Sequence, residues 1–149
     1  MTRSHGAVLL LATFALSEPP VRAQAAKTFK ARLSPVPIDV AMQATISGSG
    51  SVSAVLSGAK LTVTGTFEGL RSSATIAQMH KSPARGLRGP VVFDLTVTSG
   101  TSGTIGGTVD LTPAHVADLE NGRLYIQVHS EKAPDGNLRG WLMPAEAKR

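Results

Sequence analysis

Residues 60–69, KLTVTGTFEG, decide the fold class that this sequence predicts. Leu61, Val63 and Phe67 alternate with threonines and a glutamate, so one side of the segment is apolar and the other is polar. An apolar period of two residues with one polar face is typical of a strand in an antiparallel sheet that has one side in water. We therefore interpret this segment as a surface strand of a β-rich domain.

Similar short segments, separated by turns rich in glycine and serine, fill most of the remaining chain. Such regular spacing favours an antiparallel β-sandwich or barrel. We predict about eight strands, in residues 27–33, 51–58, 60–69, 74–80, 91–98, 104–111, 123–130 and 138–143. Residues 38–47 are also compatible with a strand, and residues 133–137, APDGN, predict a turn. The predicted buried residues are Phe67, Phe93, Leu95, Leu124, Ile126 and Val128.

One short helix is predicted inside this all-β pattern, at residues 113–121. Thr112 suits the N-cap, Pro113 suits the first helical position, and Gly122 follows the end of the segment. Val116 and Leu119 form its apolar face, and His115 lies off that face. We therefore expect a single helix that connects two strands.

The first 25 residues are predicted to be a signal peptide, which leaves residues 26–149 as one β domain. Arg3 precedes the apolar run AVLLLATFAL at residues 7–16, and small residues suited to cleavage follow it. The apolar run is too short to span about 30 Å of hydrocarbon. We therefore expect export to the periplasm or the extracellular space, with no membrane span after cleavage and an extracytoplasmic partner of unknown identity.

Composition excludes several function classes. The 149 residues include no cysteine, so neither a disulfide nor a thiolate is available. Aromatic residues make up 4% of the chain, and no stripe of aromatic and basic residues indicates nucleic-acid binding. No G-x-S-x-G motif or phosphate-binding loop is present. The sequence therefore predicts no catalytic residues, no nucleic-acid partner and no enzymatic activity.

Two histidines are candidate metal ligands. His80 ends the strand at residues 74–80, and His129 lies on the polar side of the strand at residues 123–130. If those strands are neighbours, the two imidazoles meet outside the core, directly across the strand pair, and neutral imidazole suits copper or zinc. Gln78 shares a strand face with His80 and is a weak third candidate. The alternative is a pair of strand-end histidines that only make hydrogen bonds.

A basic loop follows His80. Lys81, Arg85 and Arg88 lie within eight residues of it, and the chain carries a net charge of +5. These residues are either a solvated loop or a patch that binds acidic polymers.

Several ordered motifs resemble the CHRD domain, a family named from chordin, an animal growth-factor antagonist, and also found in many bacterial secreted proteins. They are FEGL at 67–70, ATIAQMHKSPARGLRGPVVFDL at 74–95, LTPAHVADLENGRLYIQVHS at 111–130 and PDGNLRGWL at 134–142. The resemblance covers about residues 28–143. It implies an immunoglobulin-like β-barrel with a distant likeness to copper/zinc superoxide dismutase.

What the resemblance implies about function is limited. In the dismutase, a His-x-His strand and a later Val-His strand hold copper, and these match His80 and His129 here. Arg139 lies near the position of the dismutase arginine that guides the substrate. Gln78 replaces the first histidine of the His-x-His pair. The expected function is therefore a non-enzymatic binding or structural module without a cofactor; weak copper binding by His80 and His129 is the alternative.

Overall fold

The alternation of apolar and polar residues builds eight long strands and one short one in the computed structural model, which describes residues 24–145. A short 3₁₀ helix at Met42–Ala44 lies between the first two strands. The elements are β1 Lys27–Pro35, β2 Ser49–Ser57, β3 Lys60–Glu68, β4 Ala74–Lys81, β5 Val91–Val97, β6 Gly103–Asp110, α1 Pro113–Glu120, β7 Leu124–Ser130, β8 Ala133–Trp141 and β9 Met143–Pro144.

Eight of these strands close into an antiparallel barrel in the order β2-β3-β6-β5-β4-β7-β8-β1, with β1 pairing back to β2. One side consists of β1, β2, β3 and β6, and the other of β5, β4, β7 and β8. The two sides meet at narrow seams, since only two residue pairs join β5 to β6 and two join β8 to β1. The predicted all-β class with one short helix is confirmed.

The barrel interior is filled by the inward residues of the strands. Leu61, Val63 and Phe67 of β3 are each at most 3% exposed, as their period of two predicts. Leu95 is also buried, and so are the predicted core residues of β7, Leu124, Ile126 and Val128. Phe93 was predicted to be buried and is only half-buried. It lies at the margin of the core, where its ring meets the edge of His115 at a centroid distance of 5.3 Å.

Two further predictions about local structure are wrong. Residues 38–47 contain no strand; proline at 35 and 37 ends β1, and the chain bends into the 3₁₀ turn at Met42–Ala44. The predicted turn at residues 133–137 lies inside β8. The hairpin turns earlier, at Glu131 and Lys132, and residues 134–137 bulge outward opposite His129 alone. A bulge tolerates Pro134, because a bulged residue does not have to donate an N–H to the ladder.

The helix matches its predicted boundaries closely. The Thr112 side chain accepts a hydrogen bond from the backbone N–H of His115 at 3.2 Å, and Pro113 occupies the first position. Gly122 follows the helix with φ of +66°, which glycine adopts without strain. No helix within residues 24–145 is long and apolar enough to cross a membrane. The predicted signal peptide, residues 1–25, lies outside the described residues except for its last two.

Core burial leads to a direct test of these assignments. Phe67→Ala should lower the free energy of unfolding by about 3–5 kcal/mol, because it leaves a cavity in the barrel core. Phe93→Ala should cost about 1–2 kcal/mol, since part of that ring is already in contact with water. Urea denaturation of both variants measures the difference. Equal costs would contradict the placement of Phe93 at the margin of the core.

Candidate functional site

Strand β7 is covered on both faces. All of its residues are buried except His129, which is half-buried. Its inward face belongs to the core, so the burial of Tyr125 and Gln127 on the outward face requires a second covering layer. The loop at residues 82–90 and the β8 bulge contribute residues to that layer. Buried polar groups on this face therefore need partners within the protein.

The predicted neighbours β4 and β7 do pair, and the pairing register decides where the two histidines stand. His80 lies opposite Tyr125, and His129 lies opposite Ile76. The expectation that the histidines face each other directly across the pair is therefore wrong. The register places Met79 opposite Ile126, both fully buried, and a shift by one residue would turn such side chains outward.

The two imidazoles nevertheless approach each other above the sheet. The ring centroids of His80 and His129 are 6.4 Å apart, with an interplanar angle of 29°. The two rings reach each other diagonally, because their positions in the ladder differ by four residues. The structure thus brings the predicted pair close together, although by side-chain reach and not by direct cross-strand pairing.

Gly89 is clamped by two ring side chains. The Tyr125 hydroxyl accepts a hydrogen bond from the Gly89 N–H at 3.0 Å and donates one to the Gly89 carbonyl at 3.2 Å. His80 Nδ1 also donates to that carbonyl, at 3.0 Å. The His80 and Tyr125 rings stack with centroids 4.8 Å apart and an angle of 8°. A Cβ at position 89 would lie 1.7 Å from the carbonyl oxygen of Lys81, so only glycine fits.

The other nitrogen of His80 has a different environment. His80 is 7% exposed, and its Nε2 atom is buried without a hydrogen-bond partner among residues 24–145. Burial lowers the pKa of His80, the Gly89 hydrogen bond raises it, and His129, Arg139 and Arg88 lower it further. The imidazole is therefore neutral at neutral pH, with the proton on Nδ1 and a lone pair on Nε2.

Gln127 connects the outward face of β7 to its surroundings. It is 2% exposed, and its Oε1 atom accepts a hydrogen bond from Arg139 Nε at 2.9 Å. Its Nε2 atom donates to the carbonyl of Asp135 at 3.3 Å and lies 3.3 Å from Nε2 of His129. His129 Nδ1 donates to the carbonyl of Pro134 at 2.7 Å. The β8 bulge thus supplies the carbonyl groups that orient Gln127 and His129.

Arg139 extends from this network into a cavity of about 420 Å³. Its side chain is half-buried, and its guanidinium carbon lies 5.4 Å from the centroid of the Tyr125 ring. Burial lowers the pKa of Arg139, while Tyr125 raises it and Arg88 lowers it. Arg88 and Lys132 line the same cavity, so three cationic side chains share it.

The other predicted site residues have different partners. Gln78 donates from Nε2 to Asp94 Oδ1 at 2.8 Å, toward β5 and away from β7. Lys81 forms an ion pair with Asp118 of the helix at 2.8 Å, whereas Arg88 donates to the carbonyl of Asp135 at 3.3 Å. Arg85 is exposed within the loop. Within the described chain, no three His, Cys, Asp or Glu side chains are grouped to hold a metal ion.

Sequence reasoning missed Tyr125, Gln127 and Gly89 as members of this site. The alternation in RLYIQVHS places Tyr125 and Gln127 on the same strand face as His129, and that signal was available. Nothing in the sequence indicates that the loop at residues 82–90 covers this face. Gly89 and the cavity follow only from the three-dimensional arrangement.

Comparison with known proteins gives one match. The family model of the CHRD domain matches residues 29–142, which include all eight barrel strands apart from the first two residues of β1 and cover most of the described chain. No curated protein and no solved structure matches the chain.

The buried environment of His80 has a pH-dependent consequence. Its pKa is lower in the folded protein than the unfolded value of about 6.5, so the unfolded chain takes up the proton first. The stability that depends on neutral His80 is therefore complete above about pH 6.5 and decreases as the pH falls below it. Urea denaturation at several pH values, in buffer with a chelator, measures this dependence.

His80→Gln is the matched control for that experiment. Glutamine retains a donor for the Gly89 carbonyl but does not titrate. The free energy of unfolding of this variant should therefore change less between pH 6.5 and pH 5 than that of the wild type. An NMR titration should also give His80 a lower pKa than an unperturbed histidine. A His80 pKa at or above 6.5 would contradict the covered environment.

Proposed function

This chain belongs to the CHRD domain family, and on that basis we propose that it is an exported, non-enzymatic binding module of the periplasm or the extracellular space. Its binding site is the cavity between the connection from β1 to β2, the loop at residues 82–90 and the β8 bulge. We also propose that the barrel is of the immunoglobulin-like type to which the superoxide dismutase fold is distantly similar. The strand order and the single short helix are compatible with that class.

The cavity is the observation that carries the proposal. Its volume of about 420 Å³ lies in the range of sites that bind small molecules. A half-buried arginine, Arg139, lines it, and Gln127 orients this side chain through a hydrogen bond to its Nε atom. The histidines beside it donate from Nδ1 to backbone carbonyls, and no hydroxyl nucleophile is hydrogen-bonded to either ring among the described residues. This arrangement favours binding over chemistry.

A panel of neutral, cationic and anionic small molecules tests this function by thermal unfolding. A true ligand at a concentration 100 times its Kd adds about 2.7 kcal/mol, which raises Tm by several degrees. Met42→Trp should abolish the shift, because residue 42 lines the cavity and is 40% exposed, so a larger side chain can occupy it. Mass spectrometry should recover the ligand unchanged.

Val40→Trp is the control for that substitution. Val40 is 85% exposed on the same connection and does not line the cavity, so ligand-dependent stabilisation should persist. If no class of molecule stabilises the protein, a small-molecule binding role is contradicted and a structural role is favoured. Chemical conversion of a ligand would contradict the non-enzymatic role.

Weak copper binding by His80 and His129 is the second candidate function, favoured by the unpartnered Nε2 atom of His80. Both imidazoles donate from Nδ1 to a backbone carbonyl, the arrangement that orients metal-binding histidines in proteins. An ion about 2.0–2.1 Å from a ring nitrogen lies about 3.2 Å from the ring centroid. The 6.4 Å centroid separation allows one shared ion only if both Nε2 atoms point at it. The two rings are stacked, and His129 Nε2 accepts a hydrogen bond from Gln127, so His129 and Gln127 would have to turn to bind the ion.

The surrounding groups limit that affinity. The positive charges of Arg139 and Arg88 already lower the pKa of His80, and they would oppose a bound cation in the same way. Gln78 would have to leave Asp94 to become a third ligand. Two imidazoles and an amide do not hold copper firmly through a change of oxidation state, so we propose no superoxide dismutation.

A copper(II) titration tests this second candidate. His80→Ala and His129→Ala should each weaken binding strongly, whereas His115→Ala, on α1, should bind like the wild type. Binding should also decrease below about pH 6.5, as the imidazoles become protonated. If both single variants bind copper as the wild type does, the histidine pair is not a metal site.

A further inference from the structure

We propose that the cavity beside Arg139 binds a small organic monocarboxylate that carries an apolar tail. This inference rests on the proposed binding function and specifies the chemistry of its ligand. It follows from three properties of the cavity: an excess of positive charge among its lining residues, a preoriented guanidinium group and an apolar rim.

The charge of the cavity is the first property. Arg88, Lys132 and Arg139 line it, and Asp135 is the one acidic residue among its lining residues. The four ion pairs between described residues involve none of these four side chains. A half-buried guanidinium without a carboxylate partner has lost part of its hydration without an ionic interaction in return. An anionic ligand would supply that interaction.

The orientation of Arg139 is the second property. Gln127 Oε1 accepts from its Nε atom at 2.9 Å, and the Tyr125 ring lies against its guanidinium group. Neither terminal nitrogen of Arg139 has a hydrogen-bond partner within the described part of the chain. A planar guanidinium held at one nitrogen presents its remaining N–H groups in a fixed plane, which matches the two oxygens of a carboxylate.

The rim of the cavity is the third property. Seven large hydrophobic residues are exposed among residues 24–145, and four of them belong to the two loops at this cavity. Met42 and Leu87 line the cavity and form its rim, whereas Ile38 and Val40 lie on the same connection as Met42 without lining the cavity. Exposed apolar side chains that share a cavity with a half-buried arginine fit a ligand with one charged end and one hydrocarbon end. A bare inorganic anion would leave this rim in water.

Isothermal titration of the full chain with octanoate tests the inference. Acetate lacks the tail, and octylammonium reverses the charge. Each buried methylene is worth about 0.8 kcal/mol, or about 4-fold in affinity, so acetate should bind far more weakly. Octylammonium should not bind measurably. Arg139→Gln should weaken octanoate binding about 10- to 100-fold, the usual loss for a hydrogen bond to a charged group.

Two further variants keep the test informative if the Arg139→Gln variant does not fold. Leu87→Glu places a negative charge on an exposed rim position, where it should weaken octanoate binding without disturbing the fold. Arg85→Gln removes an exposed charge from the same loop at a residue that does not line the cavity, and octanoate binding should be unchanged.

The possible outcomes distinguish this inference from the proposed function. Equal binding of octanoate and octylammonium, or of octanoate and acetate, would overturn the carboxylate ligand while the cavity remained a binding site. Arg139-dependent binding to phosphatidylglycerol vesicles, without octanoate binding, would assign the anion to a lipid phosphate and also overturn it. If neither the small-molecule panel nor octanoate binds the protein, the proposed binding function itself is wrong.

Discussion

The clamp that His80 and Tyr125 form on Gly89 is the contact on which the outer face of this barrel depends. Three hydrogen bonds converge on one residue, Gly89, and the two rings that make them stack on each other. This contact holds the end of the loop at residues 82–90 against β4 and β7. The Tyr125 hydroxyl and His80 Nδ1 are thereby satisfied without water, which makes their burial tolerable. The outward face of β7 becomes an interior surface as a result.

Much of the fold could be predicted because its causes are local in sequence. The period of two in β3 indicates which residues face the core. Thr112 and Pro113 at the start, with Gly122 just after the end, indicate a helix. These signals depend on backbone geometry and capping, so neighbouring residues suffice to express them. The predicted bounds of β3 and of the helix agree with the structure to within about one residue.

The site could be predicted only in part, because its causes are not local. The family resemblance implied that His80 and His129 lie on neighbouring strands, but the register that sets their diagonal arrangement depends on how Met79 and Ile126 pack in the core. The bulge at residues 134–137 was mistaken for the hairpin turn, since proline, aspartate and glycine favour both. Its carbonyl groups then orient Gln127 and His129. No signal within a single segment records such contacts.

The two candidate ligands of this face carry opposite charges, and the electrostatics of the cluster relate them. The charge of Arg139 disfavours positive charge on His80, so an empty cavity opposes copper on the imidazoles. An anion bound to Arg139 would neutralise that charge, so the affinity of the imidazoles for copper would rise. By linkage, copper on the histidines would raise the affinity of the anion by the same factor. The proposed binding of copper and the proposed binding of a carboxylate are therefore compatible, because each ligand would favour the other through the charge interaction between Arg139 and His80.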